Sequence, residues 1–221
     1  MKKQILYLFV IVILANCTTP ATTTSSATKV APPTRIAVLP AQVMFGGRPR
    51  GAVYFDEQQM ETLSRYTSLA MQTLLYEQLN KYCQDKSCKT QLQDYETTNT
   101  QLSNEKMSFA TLFASNKKDI CSLLGVDAVM NTQVRLVEAP AESMREAANH
   151  FWSVQMRVAV FNNEQQPPIW TFSDSKASSN RKQAFQMPFA MPKDYAAILQ
   201  QFVPQLERLV KSFVKSYPYK D

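Results

Sequence analysis

Glycine and histidine are scarce in this chain. Its 221 residues include four glycines, Gly46, Gly47, Gly51 and Gly125, and a single histidine, His150. A chain so poor in glycine has few places to build a phosphate-cradling loop, and one imidazole cannot complete a histidine-based metal site. Cysteine occurs four times, without the spacing of paired zinc knuckles. No Gly-x-Ser-x-Gly elbow is present to position a serine nucleophile. No apolar run reaches the about 20 residues that a membrane-crossing helix needs. There is no internal repeat. These absences point away from nucleotide, metal and cofactor chemistry.

What is present begins at the first residues. Lys2 and Lys3 precede an unbroken apolar run from Ile5 to Ala15, which stops at Leu14-Ala15-Asn16-Cys17. A basic start, a short apolar middle and a small-residue cleavage region are the layout of a secretory signal. Residues 14–17 resemble the lipobox of bacterial lipoproteins. That resemblance implies diacylglycerol on the Cys17 thiol, cleavage before Cys17 and acylation of the new amino end, so that 1–16 is the signal peptide. Asn16 departs from the Gly, Ala or Ser usual there. An ordinary signal peptide that happens to contain a cysteine is the less favoured alternative. Each buried methylene contributes about 0.8 kcal/mol, so several acyl chains on one residue hold a protein on a membrane. Thr18 follows the cysteine, where many Gram-negative sorting systems read Asp as an inner-membrane mark. The resemblance therefore implies the outer membrane, facing the periplasm.

Removing residues 1–16 takes away Lys2 and Lys3 and no acid, so the formal net charge falls from +6 to +4. Export argues against nucleic acid as a partner and for anionic lipid head groups, cell-wall polymer or acidic protein surfaces. Residues 17–33 comprise the lipidated cysteine and a stretch of Thr, Ser, Ala and Pro. That stretch cannot bury enough apolar surface to offset its ordering entropy, and reads as a flexible tether. Residues 34–221 are expected to form one domain. In an oxidising periplasm Cys83 and Cys88 are candidates for a small disulfide loop at a helix end. Cys121, among Ile120, Leu123 and Leu124, reads as a buried small apolar residue rather than a reactive thiol.

Arg35-Ile36-Ala37-Val38-Leu39-Pro40 is a compact apolar run closed by proline and predicts a buried strand. Residues 41–58 read as an exposed loop, in which Arg48 and Arg50 among glycines are candidate anion contacts, with a solvated loop as the default. From Glu57 to Tyr82 the apolar steps of three and four at Met60, Leu63, Tyr66, Ala70, Met71, Leu74, Leu75 and Leu79 predict an amphipathic helix. Residues 84–106 are polar and hold at most one edge strand. Ser108 can cap a helical stretch running through Leu124, with Gly125 as its left-handed terminator. Period-two alternation then predicts a strand over 127–136, and a hairpin from Trp152 through the turn at 162–168 to Ser173. A last helix runs from Asp194 to Tyr217, kinked by Pro204. On it Arg208, Lys211 and Lys215 share a stripe, a candidate anion or partner contact whose default reading is a solvated face.

This order of elements, with the Ile36-Ala37-Val38-Leu39-Pro40 opening, the Leu-Gly-Val-Asp-Ala-Val run at 124–129 and the hairpin ending in Ile169-Trp170, resembles a group of periplasmic lipoproteins. They are built around the curli-secretion lipoprotein CsgG and the penicillin-binding-protein activator LpoB, and share a fold with the amino-terminal domain of TolB. The resemblance implies an α/β sandwich of two or three layers, with helices packed on a mixed sheet. Fold alone does not fix function.

Three functions fit such a chain. The favoured one is a non-enzymatic, lipid-anchored interaction module that docks on an envelope protein serving cell-wall synthesis, secretion or assembly, with or without self-assembly into an oligomer. A subunit of a CsgG-type secretion complex is the alternative that the resemblance raises. Residues 41–58, 84–106 and 138–150 lack the lipid-facing alternation of spanning strands, which argues against a pore made by this chain alone. The third is a periplasmic hydrolase using His150, or the neighbouring pairs Asp56 and Glu57 or Glu142 and Glu146 as acid and base. Such pairs are usually helix-surface charges, and no catalytic residue is assigned.

Overall fold

Strand alternation and helical periodicity place most of the apolar residues on two sides of one sheet. The computed structural model describes residues 23–27, 31–45, 57–138, 151–164, 167–174, 185–186 and 195–219. In chain order the elements are β1 (Thr23–Ala27), β2 (Arg35–Val38), β3 (Gln42–Phe45), α1 (Glu57–Lys86), β4 (Gln91–Gln93), α2 (Tyr95–Asn104) and α3 (Phe109–Ala114). There follow α4 (Lys117–Leu124), β5 (Ala128–Glu138), β6 (Phe151–Asn162), β7 (Trp170–Asp174), β8 (Phe185–Gln186) and α5 (Tyr195–Ser216).

The strands form a single mixed sheet in the order β1-β7-β6-β5-β2-β4, with β3 also on β5 and β8 also on β6. β2 lies parallel to both β4 and β5, whereas β5, β6, β7 and β1 run antiparallel in succession. The protein is an α/β sandwich, as its sequence led us to expect. On one face Met130, Val134 and Leu136 of β5, Met156, Val158 and Val160 of β6, and Trp170 and Phe172 of β7 are buried against α1 and α5. Phe213 of α5 packs on both rings of β7, at 5.5 Å from Trp170 and 5.7 Å from Phe172. Aromatic pairs in these geometries add about 0.5–1.5 kcal/mol each beyond the area they bury. A smaller core on the opposite face joins Ala37, Leu39 and Val129 to Leu102, Leu112, Ile120, Cys121 and Leu124 of α2, α3 and α4. The sandwich thus has three layers at the β2 end.

Gly125 ends α4 with φ +62° and ψ 40°, and the next residue returns Val126 N–H to the Cys121 carbonyl at 3.1 Å. A left-handed residue at this place turns the chain from helix into β5 within three residues.

Four expectations need correction. Thr23–Ala27, within the stretch expected to be a flexible tether, pairs antiparallel with β7. Backbone pairing along an open sheet edge stabilises it without any need for apolar side chains. Gln42–Phe45, expected in an exposed loop, pairs parallel with β5. The single helical stretch through Leu124 is two helices, because Asn116 caps α4 by accepting from Lys118 N–H at 3.0 Å while Ser115 is extended. Tyr66, which shares the apolar spacing of α1, is 49% exposed, and Thr67, Ser68 and Gln72 are buried in its stead. The polar stretch after α1 holds the edge strand β4, and in addition the helix α2, capped by Asp94.

A cleft at the sheet edge

The edge of the sheet bends where β2 passes into β3. Val38 stands opposite Met130 and Gln42 opposite Gln133, so residues 39–41 face only residues 131–132 of β5. The extra residue is a bulge, and Pro40 within it has no N–H to leave unpaired. Helix α1 closes this edge. Gln72 Nε2 donates to the Val38 carbonyl at 2.8 Å, and Ala41 N–H donates to the Ser68 carbonyl at 3.3 Å. Covering an edge with a helix removes a template for unwanted pairing.

α2 is fastened to α1 through the same glutamine. Gln72 Nε2 donates to Asn99 Oδ1 at 3.0 Å, and Asn99 Nδ2 donates back to Gln72 Oε1 at 2.9 Å. α3 is set by its two ends. Ser108 Oγ accepts from Thr111 N–H at 3.1 Å, and the buried Lys117 donates to the carbonyls of Leu112, Phe113 and Ser115 at 2.8, 3.3 and 3.0 Å. Burial lowers the Lys117 pKa from its ordinary value. Three carbonyls facing one ammonium hold the last turn of α3 in place of backbone partners.

Between α1, α2 and α3, over the bend at Pro40 and Ala41, lies a cleft of about 740 Å³. Its α1 wall is mostly polar, with Glu61, Ser64, Arg65 and Ser68 beside Leu69. The facing wall is mostly apolar, with Leu102, Met107, Phe109, Leu112 and Phe113 beside Asn99, Ser103 and Ser108. The rings of Phe109 and Phe113 meet edge to face at 6.0 Å. Ser68 is 1% exposed and its Oγ has no hydrogen-bond partner. A buried hydroxyl left unpaired costs about 1–3 kcal/mol, which a bound polar group would recover. Clefts of roughly 300–1,000 Å³ that combine apolar walls with a few polar groups are the usual form of binding sites.

None of the sequence-predicted site residues that the structure describes lines this cleft. Cys17, Arg48, Arg50, Asp56, Glu142, Glu146 and His150 lie outside the described residues. Arg208, Lys211 and Lys215 are exposed on α5, where Lys211 meets Glu207 at 3.9 Å. Glu57 is exposed at the start of α1. Cys83 and Cys88 are unbonded thiols at the end of α1, with Cys88 N–H donating to the Cys83 carbonyl at 3.0 Å. Burial, together with the adjoining Cys88 thiol, pushes the Cys83 pKa up. Cys121 is fully buried, as its neighbours suggested, and desolvation raises its thiol to about 11. Among the described residues no group of three or more His, Cys, Asp and Glu could hold a metal ion, and no helix is long and apolar enough to cross a membrane.

No family model matches the chain, and no curated protein matches it. Solved structures are similar to it at low identity. The lipoprotein GNA1162 from Neisseria meningitidis aligns with a TM-score of 0.43 and 11% identity, over 84% of this chain and 100% of that one. The PelC dodecamer from Paraburkholderia phytofirmans aligns with a TM-score of 0.35 and 6% identity, over 84% of this chain and 96% of that one.

The cleft was not legible beforehand because its walls come from residues 61–69, 99–103 and 107–113, and its floor from residues 40–43. Only the Ser108 cap and the two phenylalanines after it gave a local signal.

Proposed function

We propose that the protein is a non-enzymatic, lipid-anchored docking module of the bacterial envelope. Acylated Cys17 holds it on the outer membrane facing the periplasm, and the cleft takes up a segment of a partner envelope protein. The contrast between the two cleft walls carries this reading. A segment apolar on one side and polar on the other would cover Met107, Phe109 and Phe113 while meeting Ser64, Ser68 and Arg65. Aromatic and methionine side chains are the ones that contribute most at the centre of protein interfaces. Anchoring on the same membrane as the partner raises the local concentration of both. The resemblance seen in the sequence directs the search for that partner to cell-wall synthesis and to secretion or assembly machinery.

The test is a photo-crosslinking residue placed at Ala110 on the cleft, and another at Asp119 on α4 as a control, in the full chain expressed in its own envelope. A discrete adduct from Ala110 that is lost in Phe109→Ser supports the reading. Equal adducts from both positions, or none, would sink it. Intact-mass analysis of the same protein must show acyl groups on Cys17, and an unmodified thiol there would remove the anchor from the proposal.

A further inference from the structure

Among the described residues, helices cover the face of the sheet turned away from α1 and α5 at one end only. α2, α3 and α4 lie over Ala37, Leu39 and Val129, with Phe161 packed against them. Farther along β5 and β6 no described helix lies over the same face, and Arg135 and Arg157 are exposed on it. Gln133 stands opposite Arg157, and Arg135 opposite Gln155, so the two arginines occupy a diagonal of adjacent strands. Strand geometry sets such positions roughly 7–8 Å apart.

The polar row extends to both sides. Ser173 of β7 lies opposite Arg157, and Gln42 of β3 opposite Gln133. Ser173, Arg157, Gln133 and Gln42 therefore form a line across four strands, roughly 14 Å long at the usual strand spacing. Gln133 Nε2 donates to Gln42 Oε1 at 3.0 Å, which orients both amides. None of the described residues on this face of β3, β5, β6 and β7 is acidic, and no ion pair within the described residues holds either guanidinium. Like charges on neighbouring strands repel, so folding gains nothing from this placement, and an anion between them reverses its sign.

We infer that this face binds an acidic polysaccharide. Guanidinium forks take carboxylates bidentately, which suits Arg135 and Arg157. The amides of Gln42, Gln133 and Gln155 and the hydroxyl of Ser173 both donate and accept, as sugar hydroxyls do. A polymer repeats its groups at a fixed interval, and so does a sheet face. The same faces of two copies set together would bring arginine onto arginine, and among the described residues Met44 is the one large apolar side chain on this face more than a third exposed. These features favour a glycan over a polypeptide, a self-contact or a lipid surface. The site is independent of the cleft, which Val43 lines from the other side of β3.

The experiment measures binding of the full chain in detergent to polygalacturonate, with dextran, polyglutamate and anionic phospholipid vesicles as competing probes. Polygalacturonate should bind, dextran should not, and added salt should weaken the complex. Arg135→Gln with Arg157→Gln should weaken it about tenfold or more, as loss of two charge-assisted contacts implies, with circular dichroism and melting unchanged. Arg208→Gln with Lys215→Gln removes the same charge from α5 and should leave binding intact. Equal loss in both double variants reduces the effect to net charge and overturns the inference. So does polyglutamate or vesicle binding as tight as that of polygalacturonate, and so does an absence of binding.

Discussion

Gln72 and Asn99 exchange two side-chain hydrogen bonds, and the same Gln72 amide reaches the Val38 carbonyl. One buried side chain thus ties α1, α2 and the edge of β2 together. Gln72→Leu would keep the volume roughly constant and leave Val38 and Asn99 unpaired. We expect a loss of about 2–4 kcal/mol, within the range for buried polar groups stripped of partners. Urea unfolding of the variant checks this, and a change below about 0.5 kcal/mol would contradict it.

Lys117 replaces backbone partners for three carbonyls at the end of α3. Lys117→Met keeps the stem and removes the donors. Hydrogen bonds to a charged group contribute about 1.5–3 kcal/mol, offset in part by the relief of burying the ammonium. The expected net loss is about 1–2 kcal/mol, with faster amide exchange at residues 109–114 than elsewhere. Uniform exchange would show that the lysine does not act locally on α3.

Gly125 adopts φ +62°, and a Cβ there would meet nothing within 4 Å. The cost of Gly125→Ala is therefore conformational, about 1–2 kcal/mol. Gly125→Asn should cost less, because asparagine tolerates the left-handed region. Thermal melting of the two variants orders them, and the reverse order would refute the argument.

Desolvation raises Cys121 from the ordinary thiol value near 9 to about 11, and Tyr219 to about 12. Both groups bind protons more tightly folded than unfolded, so their share of stability is complete below the ordinary values and lost as pH rises through the folded ones. Lys117, shifted the other way, opposes this. Melting temperature should fall between about pH 9 and pH 11, and Cys121→Ala should flatten that slope while lowering stability by about 1 kcal/mol at neutral pH. An unchanged slope in the variant would remove Cys121 from the explanation.

Cys88 N–H donates to the Cys83 carbonyl at 3.0 Å, with Ser87 between the two cysteines in a left-handed conformation at φ 52°. We expect them to be joined in protein taken from an oxidising compartment. Thiol alkylation without prior reduction, followed by peptide mass analysis, should then leave both unlabelled, and alkylation of either residue would disprove the bond.

The elements that could be read from the sequence are those whose burial follows a period. β5 and β6 bury alternate residues against α1 and α5, and α1 and α5 bury theirs at steps of three and four. α2 escaped because Tyr95–Asn104 carries Thr, Asn and Ser at six of its ten positions and buries only Thr98 and Leu102. Its helical state comes from the Asp94 cap and from the Gln72–Asn99 pair, and neither leaves a periodic trace. β1 and β3 escaped for a related reason, since both owe their conformation to the neighbouring strand rather than to their own side chains. The arginine face was hidden too, because each of its two strands carries one of the arginines and only the β5–β6 register sets Arg135 diagonal to Arg157.

With lipid on Cys17, the position of β1 would decide how far the body stands from the membrane. Five residues, and so six residue steps, separate Cys17 from Thr23, so a lipid-bearing Cys17 could lie at most roughly 20–22 Å from the start of that strand. β1 and the cleft sit at opposite margins of the sheet, four strand spacings or roughly 19 Å apart. A leash this short would keep the β1 margin beside the bilayer and turn the mouth of the cleft toward the peptidoglycan. Lengthening the leash by inserted residues should then let the body move away from the bilayer, which neutron reflectometry on supported membranes would register as a thicker protein layer.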